Sequence, residues 1–480
     1  MGQGVVLELF IKRSLMLNRF FNISITYGVG YFLLRSVSFL LLPIYTNLLS
    51  VNDAGIVFIV YTILALLNPI YAFGMDSALL KFYNSEKYSK KEITSSSFIM
   101  LTVSSFVISS LIILFSQNYT TSLLNVSFNV FYFIAIILFF DSISARLLVL
   151  LRLLEKPWAF LLIGFINIVC SFLFNILFLT SFSSGALAAT YALTVTSFIQ
   201  FFCLSPLLIK NIKLSFFNWT LIKEMLSFGI PFLPAAILFI ITGMSDRWLI
   251  KAYLGLESVG LYGAGYKVGS AISILVLAFN LSWQPYYLKH SNDKNLAKQL
   301  IEISYKFFIV LFLCCCAVSI FWPLFIKTNI NNYYLIGPGF WSGGSVIPWV
   351  AFGYFFYGLF VLQSPSIYLK NKQLWSPFFW LLGATSNIGI NVVLIPKIGI
   401  FGAAISSLLS YLIMFICIWY KNQSWFKNNF MDLWLFCFAL AGIVIVLLNQ
   451  YLLYVWTSYL FFILYFIVSI LKLKNPIDKR

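Results

Sequence analysis

Ser245-Asp246-Arg247-Trp248 closes one long apolar run, and Tyr262-Gly263-Ala264-Gly265-Tyr266-Lys267 lies inside the next. Both belong to Phe228–Tyr287, a stretch with two runs each long enough to cross a bilayer, joined by a short loop. Charge so deep in apolar sequence is costly in hydrocarbon, so it marks a protein-lined lumen or a span whose end lies elsewhere. The same stretch opens what reads as the second half of an internally repeated chain.

Outward from it, the 480 residues are 61% hydrophobic and only 9% charged, with a mean hydropathy of +0.95. A polytopic helical membrane protein needs that much apolar surface and a soluble core does not. At about 20 apolar residues per crossing, about fourteen stretches qualify: Asn22–Leu42, Ala54–Gly74, Ser95–Phe115, Val130–Leu150, Trp158–Thr180, Gly185–Leu208, Leu226–Ile250, Val259–Leu281, Phe307–Ile326, Gly343–Tyr368, Leu374–Ile395, Gly399–Tyr420, Leu433–Leu448 and Tyr451–Leu471. The expected fold is therefore all-α and membrane-spanning.

The net charge of +17 does not point to nucleic acid. The positives fall in short loops between the runs, as membrane topology expects. One set of loops holds Lys81, Lys87, Lys90, Lys91, Arg152, Lys156, Lys210, Lys213 and Lys223, with Lys289–Lys306, Lys370, Lys372, Lys421 and the basic C-terminus. The opposite loops hold only Arg247, Lys251, Lys327 and Lys397. Both termini are expected on the cytoplasmic side of the membrane, with an even span count. Met1–Arg19 leads into the first span without a small-residue cleavage site, and Met16 is a second candidate start. Of seven Cys, three form the run Cys314-Cys315-Cys316 inside an apolar helix, where thiols act as small hydrophobes.

The two halves echo each other in order. Lys156 and Asn175 recur as Lys372 and Asn391 at the same separation, and Gly185-Ala186-Leu187-Ala188-Ala189 answers Gly399-Ile400-Phe401-Gly402-Ala403. Two pseudo-symmetric six-helix bundles follow, with a translocation site expected between them. The expected division is a 1–21 N-terminal segment, bundles at 22–208 and 226–420 with a cytoplasmic linker at 209–225, and two extra helices with a basic tail at 421–480.

Arg35 stands deep in the first run, beyond easy snorkelling, and is expected to be a lumen cation for phosphate; the alternative is an Arg capturing carbonyls within the bundle. Arg247 and Lys267 are further candidates for a cationic lumen. Asp246 and Arg247 also fit interfacial anchors near the outer face beside Trp248. Asp76, Asp141 and Asp246 are candidates for a gate or for titration by a coupling ion, H+ or Na+. Asp76 also fits a helix cap. Asp141 and Arg146, five apart, do not share a helix face. One His, no nucleotide-binding glycine loop and no metal-ligand cluster leave no catalytic arrangement and no cofactor to expect.

Several motifs carry a family likeness. Leu42-Pro43-Ile44-Tyr45-Thr46 with Asp53-Ala54-Gly55, Met75-Asp76-Ser77-Ala78-Leu79-Leu80-Lys81-Phe82-Tyr83, Ser245-Asp246-Arg247 with Tyr266-Lys267, Trp283-Gln284-Pro285-Tyr286 and Asn387-Ile388-Gly389-Ile390-Asn391 resemble polysaccharide-biosynthesis flippases of the Wzx type. The likeness runs from Tyr27 to Tyr420; Thr180–Ser184 departs from it, lacking the proline found at Pro396. The resemblance implies the multidrug/oligosaccharidyl-lipid/polysaccharide exporter fold, two bundles in a V plus two helices. It implies transfer of an undecaprenyl-pyrophosphate-linked oligosaccharide across the membrane for O-antigen, capsule or exopolysaccharide assembly, beside the pathway's polymerase and chain-length proteins. A lipid II flippase or a drug/cation antiporter would share the fold. A membrane-embedded polymerase or acyltransferase is the alternative from a different class.

Overall fold

Helices carry almost all of the described residues in the computed structural model, which covers residues 36–426 apart from 84, 124–127, 183–184, 292, 294, 331–332 and 371, together with 33, 439–444, 446, 463 and 465–466. Ten of the described helical stretches are long and apolar enough to cross a membrane. The chain is a multi-pass membrane protein. The first expected span and the last two fall mostly outside the described residues. The two runs of Phe228–Tyr287 form a continuous helical stretch broken only locally, so spans and helices do not match one to one.

Packing divides the chain into two compact units: unit 1 takes residues 1–44 and 63–233, unit 2 takes 45–62 and 234–480. Helix α1 (Leu42–Leu48) and helix α2 (Val51–Ala72) therefore each contribute to both. Unit 1 continues with α3 (Met75–Phe82), α4 (Lys90–Leu123), α5 (Phe128–Leu153), α6 (Pro157–Ser181), α7 (Ala186–Asn211) and α8 (Trp219–Gly229). Unit 2 holds α9 (Leu233–Gly269), α10 (Ile272–Lys289), α11 (Leu296–Lys327), a two-residue-per-strand hairpin Asn329–Ile330/Tyr333–Tyr334, α12 (Ile347–Gln363), α13 (Pro365–Leu369), α14 (Trp375–Ile398) and α15 (Ile400–Trp425).

Local chemistry sets the helix ends. Ser89 and Glu92 form a reciprocal capping box that starts α4, each side chain accepting from the other's amide at 3.2 and 2.8 Å. Pro157 opens α6, where its missing N–H costs nothing. The α6–α7 and α14–α15 hairpins turn on Gly185 and Gly399, both at positive φ (51° and 64°). Asn175 and Asn391, matched by the sequence repeat, are both fully buried one helix before those turns.

Lipid removes the hydrophobic drive between helices, so close packing needs small residues. In unit 2 a Cβ on Gly55 would stand 2.1 Å from the Leu256 carbonyl oxygen, and one on Gly260 2.0 Å from that of Val51. Gly265 and Gly343 repeat this against the carbonyls of Gly343 and Leu261, each at 2.0 Å. Elsewhere in this unit phenylalanines fill the core, among them Phe308, Phe312, Phe355, Phe360 and Phe379.

Residues 209–225, expected as a linker, pack onto unit 1. Thr94-Ser95-Ser96-Ser97 at the start of α4 holds them: the amides of Lys213 and Asn218 donate to Ser95 and Ser96 Oγ at 3.0 and 2.8 Å, and Thr94 Oγ1 donates to the Asn211 carbonyl at 3.2 Å. Helix α8 then buries Leu221, Ile222 and Met225 against Leu79, Ile93 and Leu101. Its last residue, Gly229, meets Gly74 backbone to backbone, where a Cβ on Gly74 would lie 2.0 Å from the Gly229 oxygen.

Candidate functional site

Helix α9 is bent at Gly255 (φ 84°, ψ 178°), a conformation open to glycine and strained for other residues. The bend lets the arm 256–269 pack beside 233–254. Tyr262 and Tyr266, one turn apart on the second arm, thereby face Gly243, Asp246 and Arg247 on the first. Tyr262 Oη donates to Asp246 Oδ2 in a short hydrogen bond. Tyr266 Oη donates to the Gly243 carbonyl at 3.0 Å and shares a 2.7 Å hydrogen bond with Tyr354 Oη from α12.

Arg247 folds back along its own helix. Its Nη1 donates to Asp246 Oδ1 at 3.0 Å and to the Gly243 carbonyl at 3.2 Å. The guanidinium carbon lies 4.2 Å from the Tyr266 ring centroid, a cation–π contact out of water. Asp246 and Arg247 are 1% and 7% exposed. Interfacial anchors would be exposed to headgroups, so that expectation does not hold. The helix also runs on past them to Leu254 before it bends, so the pair lies inside the helix and not at its end. A buried pair of this kind is costly to break, since the surviving partner keeps its charge without a counter-charge.

Lys267 lies near the end of the second arm, 5.6 Å over the Tyr61 ring and within electrostatic range of Arg247. Tyr61 Oη in turn meets Tyr45 Oη at 3.2 Å. Unit 2 thus gathers Asp246, Arg247 and Lys267 against a wall of tyrosines. Ser245 Oγ, next along, donates to Asn387 Oδ1 at 2.7 Å, and Asn391 Nδ2 donates to the same oxygen at 2.8 Å. Such a surface offers fixed cations for an anionic group and aromatic faces and hydroxyls for a polar, ring-bearing one.

Unit 1 holds the other predicted acids, Asp76 and Asp141. Asp76 stands in the first turn of α3, where the helix dipole favours a carboxylate. It pairs with Arg146 of α5: Nη2 donates to Oδ2 at 3.1 Å and Nε stands 3.1 Å from Oδ1. Arg146 Nη1 also donates to the Ser142 carbonyl at 2.9 Å. The Arg146 side chain is 1% exposed and that of Asp76 is 48% exposed. Asp141, on α5, sits beside Ser197 and not beside Arg146. Arg35 lies outside the described residues.

Asp76→Asn is expected to lower stability by about 1–2 kcal/mol, less than a fully buried pair because one partner meets solvent. Thermal unfolding in detergent reads the loss, with Asp141→Asn as the comparison. An unchanged midpoint would show that the Ser142 carbonyl alone satisfies Arg146.

Sequence reasoning found the charged members but not Tyr262, Tyr266 and Tyr354, nor Tyr411 of α15, whose ring centroid lies 5.7 Å from that of Tyr354, nor the Asp76–Arg146 pairing. The i,i+4 spacing of Tyr262 and Tyr266 beside Lys267 was the available signal. Among the described residues no group of three or more His, Cys, Asp or Glu is placed to hold a metal ion.

Fold and apolar composition together define the class: a multi-pass helical membrane protein. A lipid II flippase, MurJ, in its inward closed conformation superposes with a TM-score of 0.73 at 16% identity, over 93% of this chain and 98% of that one. An inward-facing multidrug resistance MATE family transporter of the MOP superfamily gives a TM-score of 0.61 at 13% identity, over 84% and 93%. Residues 22–291 match the polysaccharide biosynthesis protein family, and the chain belongs to that family. An uncharacterized membrane protein of Methanocaldococcus jannaschii is 23% identical over 433 residues, 84% of this chain and 83% of that one.

Proposed function

We propose that this chain moves an undecaprenyl-pyrophosphate-linked oligosaccharide from the cytoplasmic to the outer leaflet of the bacterial inner membrane, for O-antigen, capsule or exopolysaccharide assembly. It does so by alternating access between six-helix bundles at 22–208 and 226–420, with both termini cytoplasmic and no covalent chemistry of its own. The observation that carries this reading is the gathering of Arg247 and Lys267 with buried tyrosines on the bent α9. A pyrophosphate recruits cations, with Arg favoured for its forked donors. Sugars pack against aromatic faces. Family membership supports a polysaccharide pathway. A proton or sodium gradient supplies the driving force, and Asp76, Asp141 and Asp246 are the groups proposed to couple to it.

The test is flipping of a fluorescent undecaprenyl-pyrophosphate oligosaccharide by the full chain in vesicles. Arg247→Lys keeps the charge and loses the fork, and Lys267→Gln removes a charge; each is expected to slow flipping about tenfold or more, one charge-assisted hydrogen bond. Arg35→Ala tests the third expected cation in the same assay. Wild-type rates in all three variants would sink the cationic site. Imposed proton and sodium gradients in the same vesicles identify the coupling ion. A lipid II carrier is the second reading, favoured by the TM-score of 0.73 to such a flippase. Faster flipping of lipid II than of the oligosaccharide carrier would select it.

A further inference from the structure

A second set of cations lies in unit 1, unused by either the buried pairs or the carrier reading. Helices α3 and α8 border a cleft of about 510 Å³ lined by Lys81, Phe82, Lys223, Glu224, Ser227 and Phe228. Its acid is already engaged: Lys87 Nζ and Tyr88 Oη donate to Glu224 Oε1 at 2.6 and 3.0 Å. That carboxylate holds the Lys87 ammonium above its ordinary value. The remaining cations of the cleft are Lys81, 3.8 Å over the Phe228 ring, and Lys223, 6.0 Å over the Trp219 ring. Both are exposed.

The surroundings are apolar and open. Leu214 is 80% exposed, Trp219 57%, and Leu80 and Ile230 47% each. Helix α8 is short and two-faced, with Leu221, Ile222 and Met225 turned into unit 1 and Lys223 and Ser227 turned out. A short amphipathic helix with outward cations and aromatic or aliphatic neighbours has the make-up of one lying in the headgroup layer. The juxtaposition of two cations that pair with no acid among the described residues, beside exposed apolar side chains, matches an amphiphile with a negative head.

We propose that the α3–α8 cleft is a binding site for an anionic phospholipid of the surrounding leaflet, its phosphate held by Lys81 and Lys223 with the Ser227 hydroxyl as a further donor. The acyl chains run along Leu80 and Ile230. This site stands independently of which carrier the protein moves.

Native mass spectrometry of the full chain in detergent tests it, with dioleoylphosphatidylglycerol and dioleoylphosphatidylcholine as probes. Wild type is expected to retain phosphatidylglycerol about tenfold more tightly than phosphatidylcholine. Lys81→Gln with Lys223→Gln abolishes that preference, while Lys81→Arg with Lys223→Arg keeps it. Ser227→Glu, which puts a carboxylate in the cleft and leaves both lysines intact, abolishes it as well. An undiminished preference in the double Gln variant or in Ser227→Glu overturns the proposal. Displacement of the lipid by inorganic pyrophosphate at low millimolar concentration also overturns it, since the cleft would then be a bare phosphate site.

Discussion

Asp246→Ala is expected to lower the stability of the chain by about 3–5 kcal/mol, the range for removing one partner of a buried ion pair. Arg247 cannot shed its proton, and with Asp246 gone its guanidinium keeps the Gly243 carbonyl and the rings of Tyr266 and Tyr262 but no counter-charge among the described residues. Tyr262 loses its acceptor in the same step. Thermal unfolding of the purified chain in detergent reads this, with Lys298→Ala on the exposed start of α11 as a control. A companion variant separates clamp from carrier function. Replacing both members by apolar residues of similar size, Asp246→Leu with Arg247→Met, removes the desolvation cost together with the attraction, so stability returns to within about 1–2 kcal/mol of wild type. Flipping is expected to stay lost. If the double variant transports at the wild-type rate, the pair is a structural clamp and the cation site lies elsewhere.

The second large effect is steric. Gly260→Ala sets a methyl group 2.0 Å from the Val51 carbonyl oxygen, and Gly265→Ala sets one at the same distance from that of Gly343. Neither neighbour is a flexible side-chain tip; both are main chain, so the helices themselves must separate. Each change is expected to cost about 1–3 kcal/mol, and the pair more than either. Gly389→Ala supplies the contrast. Nothing lies within 4 Å of its added methyl, and a helix-interior Gly→Ala exchange in open space is worth up to about 1 kcal/mol in the other direction. The sign difference between Gly260→Ala and Gly389→Ala in the same melting assay is the measurement; equal shifts would show that the α2–α9 approach is not tight.

The helical framework was legible because crossing a bilayer demands length and apolarity, which a run such as Pro157–Ser181 states openly. The asparagines that the sequence matches, Asn175 and Asn391, are polar letters in apolar text, and both are fully buried. The site was only half visible. Asp246 and Arg247 stood out as charges, yet the helix was expected to end beside them, whereas α9 continues through Trp248-Leu249-Ile250 and bends at Gly255. A glycine in an apolar run does not announce its φ. Tyrosine is too frequent here, 27 in all, for Tyr262, Tyr266, Tyr354 and Tyr411 to stand out. The Asp76–Arg146 contact joins helices 70 positions apart, a distance that no local periodicity reports.

The serine-rich start of α4 bears on how such proteins are recombined. Because Ser95 and Ser96 accept the amides of Lys213 and Asn218, a chimera spliced between 209 and 218 would tear main chain from its receptor hydroxyls in the donor half. The better junction lies beyond Gly229, at Pro231–Pro234, where the compact units part. A graft made there carries the connecting segment together with the serines that receive it.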